Sequence, residues 1–494
     1  MICRTERSRV LTTAAIAVAL ALATSCGSDK DSDSGTLGTI DGSSETSDDE
    51  GGDEGGDDTV GNGSNLQGAI IDFGEGKTEQ SYDELLDSAF VDITQFWADQ
   101  FPAVYGEDFE PVSGIYAHYP EREDLPPACD GPVPYSEVEG NAFFTSCGDI
   151  IVYDDAALLP GLVDKLGVAA VAVVAAHEYG HAIQQRAGVF NLGLPTVDIE
   201  QQADCFAGAW TAHVARGESE QLAFGDEDVK SGLVAMIEIR DTPGSDVFDP
   251  AGHGTAFDRV GAFQEGFIEG VERCSRFIEE PNPRVDLVFS PDELETSGNL
   301  LFGDAVSLLP PSLDTFWVPV LEQNGTEFTP PTLEGYPTDG PYPECDGRAE
   351  EEMKGHAVFC ADTNTVAIDE QFAGNLYNQL GDLSFGYPIA AAYGDAVQTA
   401  LGTGLEGEPR VLLNDCLVGA WLVDIVPIPG TEEASNPEQK IVLSAGDLDE
   451  VVVTAVILGD DASNTDANGT AFEKIDAFRS GVLGGLPACE SRLR

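Results

Sequence analysis

Val171–Gln185 reads VAVVAAHEYGHAIQQ, a run of small and β-branched apolar residues that places His177, Glu178 and His181 within one helical turn. In a helix, positions i and i+4 share a face, so both imidazoles can point at one metal ion. Glu178 is rotated off that face, near enough to handle a water molecule without being a ligand. That is the mechanical content of H-E-x-x-H, two zinc ligands and a general base. The bland reading is a helix with two hydrogen-bonded histidines and a surface glutamate, because the pattern also arises by chance. Two ligands do not make a site, so the chain has to supply a third.

The next segment offers one. QQRAG ends the first helix, with Gly188 suited to its C-terminal cap. After a loop through Pro195, Asp198–Gly217 has the apolar spacing of a second helix, and Glu200 and Asp204, four apart, share a face of it. Glu200 could complete a His2Glu set with the fourth position open for water. Asp204, one turn on, could accept the free N–H of a ligand histidine and fix its tautomer. In so acidic a protein both could instead be solvent-facing. Their position nineteen residues after the histidine motif (200 − 181 = 19) favours the site.

The ends and the composition set the context. Arg4, Arg7 and Arg9 precede an apolar run, Val10–Ala23, which reads as an export signal over residues 1–26. Ala23-Thr24-Ser25-Cys26 resembles a bacterial lipobox, which implies lipidation of Cys26; cleavage after Ala23 with release of the protein is the other reading. Residues 27–67 are Gly, Ser, Asp and Glu with almost nothing to bury, so they are expected to form a disordered tether. About 425 residues remain, enough for two domains. No later segment has the ~20 uninterrupted apolar residues of a membrane span. The formal net charge of −66 argues against nucleic acid and against adsorption to anionic lipid. The membrane is therefore expected as a partner only through the N-terminal lipid.

The folded part is written twice. Phe96-Trp97 recurs as Phe316-Trp317, Cys129-Asp130-Gly131 as Cys345-Asp346-Gly347, and Asp204-Cys205 as Asp415-Cys416. Tyr179-Gly180-His181-Ala182-Ile183-Gln184 becomes Tyr393-Gly394-Asp395-Ala396-Val397-Gln398, and Gly254-Thr255-Ala256-Phe257 becomes Gly469-Thr470-Ala471-Phe472. The offsets barely drift (393 − 179 = 214, 416 − 205 = 211, 489 − 274 = 215), which points to a tandem duplication. The expected domains are 68–280 and 285–494. With Cys3 and Cys26 assigned to the signal and anchor, 10 − 2 = 8 cysteines remain. Equivalent bridges in two equivalent copies give Cys129–Cys147 and Cys205–Cys274, echoed by Cys345–Cys360 and Cys416–Cys489; a metal-ligating Cys205 is the alternative. The second copy has Ala391 and Ala392 for His177 and Glu178, Asp395 for His181 and Val411 for Glu200, so it is expected to fold without a catalytic metal.

SCGDIIVYDD, HEYGHAIQ, EQQADCFAGAW and HGTAFDRVGAFQEGF, in that order between about Gly140 and Cys274, resemble the neutral zinc metallopeptidase family of bacteria. The resemblance implies zinc held by His177, His181 and Glu200, Glu178 as the base and Asp204 as the partner of a ligand histidine. The family's HG…R segment falls on His253-Gly254 and Arg259, with His253 either contacting the oxyanion or capping a loop. The fold class implied is α+β: two zincin-like, mainly helical domains, each with a small β-hairpin or sheet and two disulfides. The function expected is peptide-bond hydrolysis, on a peptide or protein substrate, at the outer face of a bacterial cell membrane or in the medium. A non-catalytic envelope scaffold is the competing class; the motif set favours the enzyme, because binding alone would not need Glu178 beside the ligands.

Overall fold

The apolar run ahead of the histidines becomes a deeply buried helix. A computed structural model describes residues 70–127, 131–245, 252–284, 287–291, 293–423, 425, 443–459 and 469–493. The signal and tether regions, Cys26 and Cys129 lie outside the described residues. The first half runs β1 (Ile71–Asp72), α1 (Asp83–Tyr105), β2 (Gly114–His118), β3 (Ala142–Thr145), β4 (Ile150–Asp154), α2 (Leu158–Leu166), α3 (Val168–Arg186), α4 (Thr196–Ala215), α5 (Asp226–Glu238), α6 (Ala256–Glu269) and α7 (Val271–Ser275). Every residue of α3 from Ala169 to Gly180 is buried. A helix that is apolar around its whole circumference has to be enclosed on all sides, and α3 is, by α1, α2, α4 and α5.

A small hairpin, as the resemblance implies, is formed by β3 and β4, with Phe143 opposite Val152. It is part of a larger sheet of order β1-β2-β4-β3, in which β2 runs parallel to both β1 and β4. All five residues of β4 are buried, as befits an inner strand, and β3 is left at the edge beside α3.

The second half contains α8 (Phe302–Gln323), β5 (Thr332–Tyr336), α9 (Glu350–Met353), β6 (Ala357–Cys360), β7 (Thr365–Asp369), α10 (Glu370–Gln379), α11 (Asp382–Leu401), α12 (Glu408–Val423), α13 (Asp447–Gly459) and α14 (Ala471–Cys489). Its sheet, β5-β7-β6, combines one parallel and one antiparallel pairing, as β2-β4-β3 does. Among the described residues the protein is thus a mixed, mainly helical fold with two small sheets. No helix among the described residues is long and apolar enough to cross a membrane.

Glycines let the helices that carry the site touch backbone to backbone. A Cβ on Gly208 of α4 would lie 2.0 Å from the Phe263 carbonyl oxygen, and one on Gly266 of α6 1.8 Å from that of Cys205. Gly419 and Gly481 play the same part between α12 and α14, at 2.2 and 2.0 Å from the Phe478 and Cys416 carbonyl oxygens. Disulfides add to these contacts: Cys205–Cys274 joins α4 to α7, the short helix after α6, Cys416–Cys489 joins α12 to α14, and Cys345–Cys360 closes the loop from β5 to β6. Cys147 is disulfide-bonded too, while its expected partner Cys129 lies outside the described residues. Cys205 is therefore a bridge cysteine and not a metal ligand. Replacing both Cys205 and Cys274 by Ser is expected to cost about 2–5 kcal/mol, read as a lower urea midpoint.

One apolar core runs through both halves. Polar contacts cross between them as well: Phe257 N–H donates to Asp449 (2.9 Å), Gln264 Nε2 to the Phe472 carbonyl (2.8 Å) and Arg479 Nε to the Phe257 carbonyl (3.1 Å).

Candidate metal centre

Helical spacing brings His177 and His181 onto one face of α3, and α4 crosses that face. Glu200 reaches up between the rings: its Oε2 lies 3.3 Å from His177 Nε2 and its Oε1 3.3 Å from His181 Nε2. The two imidazoles stand edge to face, 4.8 Å between centroids. One donor atom from each of the three residues falls within 4.8 Å of the others. Glu200 Oε2 is buried and has no hydrogen-bond partner. Leaving a buried carboxylate oxygen unsatisfied is costly, and two imidazole nitrogens with one carboxylate is the donor set that suits zinc. These residues fit a metal ion.

The supporting shell is built from buried side chains. Asp204 Oδ1 is 2.7 Å from His177 Nδ1, which leaves Nε2 free to face Glu200. Arg259 grips the same carboxylate from behind, Nη2 to Oδ1 at 2.7 Å and Nε to Oδ2 at 2.9 Å, and donates Nη1 to the Ile239 carbonyl. Both Asp204 and Arg259 are fully buried. Sequence reading had placed Asp204 in this role but assigned none to Arg259. It missed Gln184 altogether. Gln184 Oε1 lies 2.8 Å from His181 Nδ1, and its Nε2 donates to the Ile199 carbonyl and to Gln202. The available signal was its place three residues after His181 and its repetition as Gln398.

The charges follow the geometry. Burial works against a charged His177, but Asp204 and Glu200 outweigh it, and the metal-free imidazole is pushed up to about 10. Burial alone would raise Asp204 and Glu200. Arg259 and His177 hold Asp204 below the usual carboxylate range, and the two histidines with Arg259 do the same for Glu200. Glu178 moves the other way, raised chiefly by burial and lowered less by the histidines. Its Oε2 accepts the Phe144 N–H of the edge strand β3 at 3.0 Å. Glu178, His177, His181 and Glu200 share one cleft with Phe144 and His253. His253 stands at its rim, with side chain 42% exposed and Nδ1 3.6 Å from Asp241; its backbone N–H also donates to Asp241.

The equivalent place in the second half is filled by other contacts. Arg410 Nε donates to Asp395 at 2.7 Å and Asn414 Nδ2 to the same oxygen at 2.8 Å. Asp415 takes the Tyr387 hydroxyl (2.7 Å) and Lys474 (2.8 Å) where Asp204 takes His177 and Arg259. A separate group of carboxylates, Asp382, Asp447 and Glu450, accepts backbone N–H groups of Leu300, Ser444 and Leu383 respectively.

Comparison with known proteins agrees with the first half. Residues 74–277 match the family model described as "Putative neutral zinc metallopeptidase". The chain is similar to Uncharacterized protein YpfJ of Escherichia coli strain K12, 30% identical over 152 residues, which cover 26% of this chain and 52% of that protein. It is also similar to Uncharacterized protein Rv2575 of Mycobacterium tuberculosis H37Rv, 29% identical over 117 residues, 20% of this chain and 40% of that one. The chain thus spans about half the length, or less, of these curated relatives, and no solved structure matches it. Residues 74–277, which carry the paired histidines and the buried glutamate, are thus the part of the chain that is similar to the neutral zinc metallopeptidases.

Proposed function

We propose that the protein is a zinc metallo-endopeptidase whose ligands are His177, His181 and Glu200. The observation that carries this reading is the buried Glu200 carboxylate set 3.3 Å from the Nε2 atoms of two imidazoles whose Nδ1 atoms face Asp204 and Gln184. Zinc, when bound, polarises a carbonyl oxygen and lowers the pKa of bound water from about 15.7 towards 7.

The chain's own groups do the rest. Glu178, beside the ligands and held by Phe144 N–H, takes a proton from the attacking water and later delivers it to the leaving amine. Asp204 and Gln184 keep the Nε2 lone pairs of the two histidines turned inward. The edge strand β3 offers backbone groups to an extended peptide, so substrate lies along Ala142–Thr145. His253 at the rim is placed to meet the developing oxyanion.

The second half, in this reading, is a degenerate copy produced by duplication. Its repeated order of helices and sheet, its bridges and its glycine crossings support that origin. The N-terminal residues support export, with Cys26 lipidated and the tether holding the enzyme off the outer face of the membrane.

The test is metal analysis. The wild-type protein should bind one zinc per chain and His177→Ala none; a zinc-free, folded wild type would favour the scaffold reading. Because the free His177 imidazole is raised to about 10, metal must displace its proton at neutral pH. Zinc affinity is therefore expected to rise with pH up to that value. Calorimetric titrations in buffers of different ionisation enthalpy should register the released proton.

A further inference from the structure

The contacts at the start of α6 give the second half a part in the first half's site. Asp449 lies near the start of α13 but does not cap its own helix. It is buried, and its Oδ1 accepts the Phe257 N–H at 2.9 Å. Its Oδ2 faces Arg240 Nε at 3.5 Å. A carboxylate at a helix N-terminus satisfies donors that have no partner inside the helix and is favoured by the dipole. Asp449 thus holds the entry of α6 by a hydrogen bond and meets the exit of α5 by an ion pair.

Both carry groups that reach the metal centre. Arg259, on the first turn and a half of α6, is the residue that grips Asp204, and its third anchor is the Ile239 carbonyl beside Arg240. Asp241, the next residue, accepts the N–H groups of His253 and Gly254 at the cleft rim. The line of contact runs Asp449, Phe257 and Arg240, Arg259, Asp204, His177.

We propose that Asp449 is a positioning residue of the metal centre, holding His177 in place from the second half through Arg259 and Asp204. The proposal rests on the metal-site reading above. It gives the half that lacks ligands a task in setting the geometry of the half that has them.

The test compares Asp449→Ala, Asp449→Asn and Gln264→Ala in the full-length protein. Three quantities are read: zinc affinity by chelator competition, the visible absorption spectrum of the Co2+-substituted protein, and the thermal midpoint. Asp449→Ala should weaken zinc binding by about tenfold or more, the range seen when a group supporting a ligand histidine is lost, and should change the cobalt spectrum. Asp449→Asn keeps an acceptor for Phe257 and should restore most of the affinity and the native spectrum. Gln264→Ala removes a contact to Phe472 further along α6 and should lower the midpoint without moving affinity or spectrum.

Native affinity and spectrum in Asp449→Ala would overturn the proposal. So would equal losses in Asp449→Ala and Gln264→Ala, which would mean that the interface acts only through general stability. If Asp449→Ala does not fold, Asp449→Glu, which keeps the charge and shifts the acceptor by one methylene, is read on the same scale. A wild-type protein that binds no zinc would instead sink the metal-site reading itself.

Discussion

Glu178→Gln is expected to lower peptide hydrolysis by about 10²–10⁴-fold while leaving the zinc content at the wild-type level. The reason lies in where the side chain sits. Glu178 is buried and lines the cleft with His177 and His181, but its Oε2 is engaged with the Phe144 N–H and not with Glu200. The amide of Gln fits the same space and can still accept that N–H, so the fold and the ligand set have no cause to change. What disappears is the capacity to take and return a proton. The measurement is turnover of a peptide library with and without chelator, beside metal analysis of the same samples. Full activity in Glu178→Gln would remove it from the chemistry, and loss of zinc would make it a ligand in place of a base.

The second large effect is on stability. Arg259→Met is expected to destabilise the protein by about 3–5 kcal/mol, because it leaves the Asp204 carboxylate with His177 alone in a site closed to water. Asp204 and Arg259 are both fully buried and joined by two hydrogen bonds, so no solvent can take over the lost partner. Pairing the change with Asp204→Asn should recover a large part of the loss, since the stranded charge goes with it. Chemical denaturation of the two variants measures the difference. Zinc affinity supplies an independent reading: with the carboxylate freed from its clamp, His177 loses its fixed orientation, and affinity should fall about 10–100-fold. A single variant as stable as the wild type would mean that water enters the site.

Helical periodicity is why so much of the centre could be read in advance. Once α3 was recognised, the placement of His177, His181 and Glu178 followed from 3.6 residues per turn, and the same rule put Glu200 and Asp204 on one face of α4. The geometry brings these five together as that rule requires. Contacts that depend on the crossing of distant segments were not readable in the same way. Arg259 meets Asp204 only because Gly208 and Gly266 bring α4 and α6 into backbone contact. Asp449 meets Phe257 across 192 residues of sequence. Gln184 looked like one more polar residue at a helix end, since a glutamine's partners are not written in its spacing. The parallel pairing of β2 with β4 was also hidden. Its five residues, GIYAH, are too few to show an alternation that separates a strand from a loop.

The backbone contact between α4 and α6 also decides which side of the cleft can adapt. With a glycine from each helix set against the other's carbonyl and a disulfide joining α4 to α7, the wall bearing Glu200, Asp204 and Arg259 has no freedom to slide. Accommodation of bulkier or slimmer polypeptides therefore falls to the rest of the cleft lining, which includes the terminal strand of the sheet and the exposed Phe190.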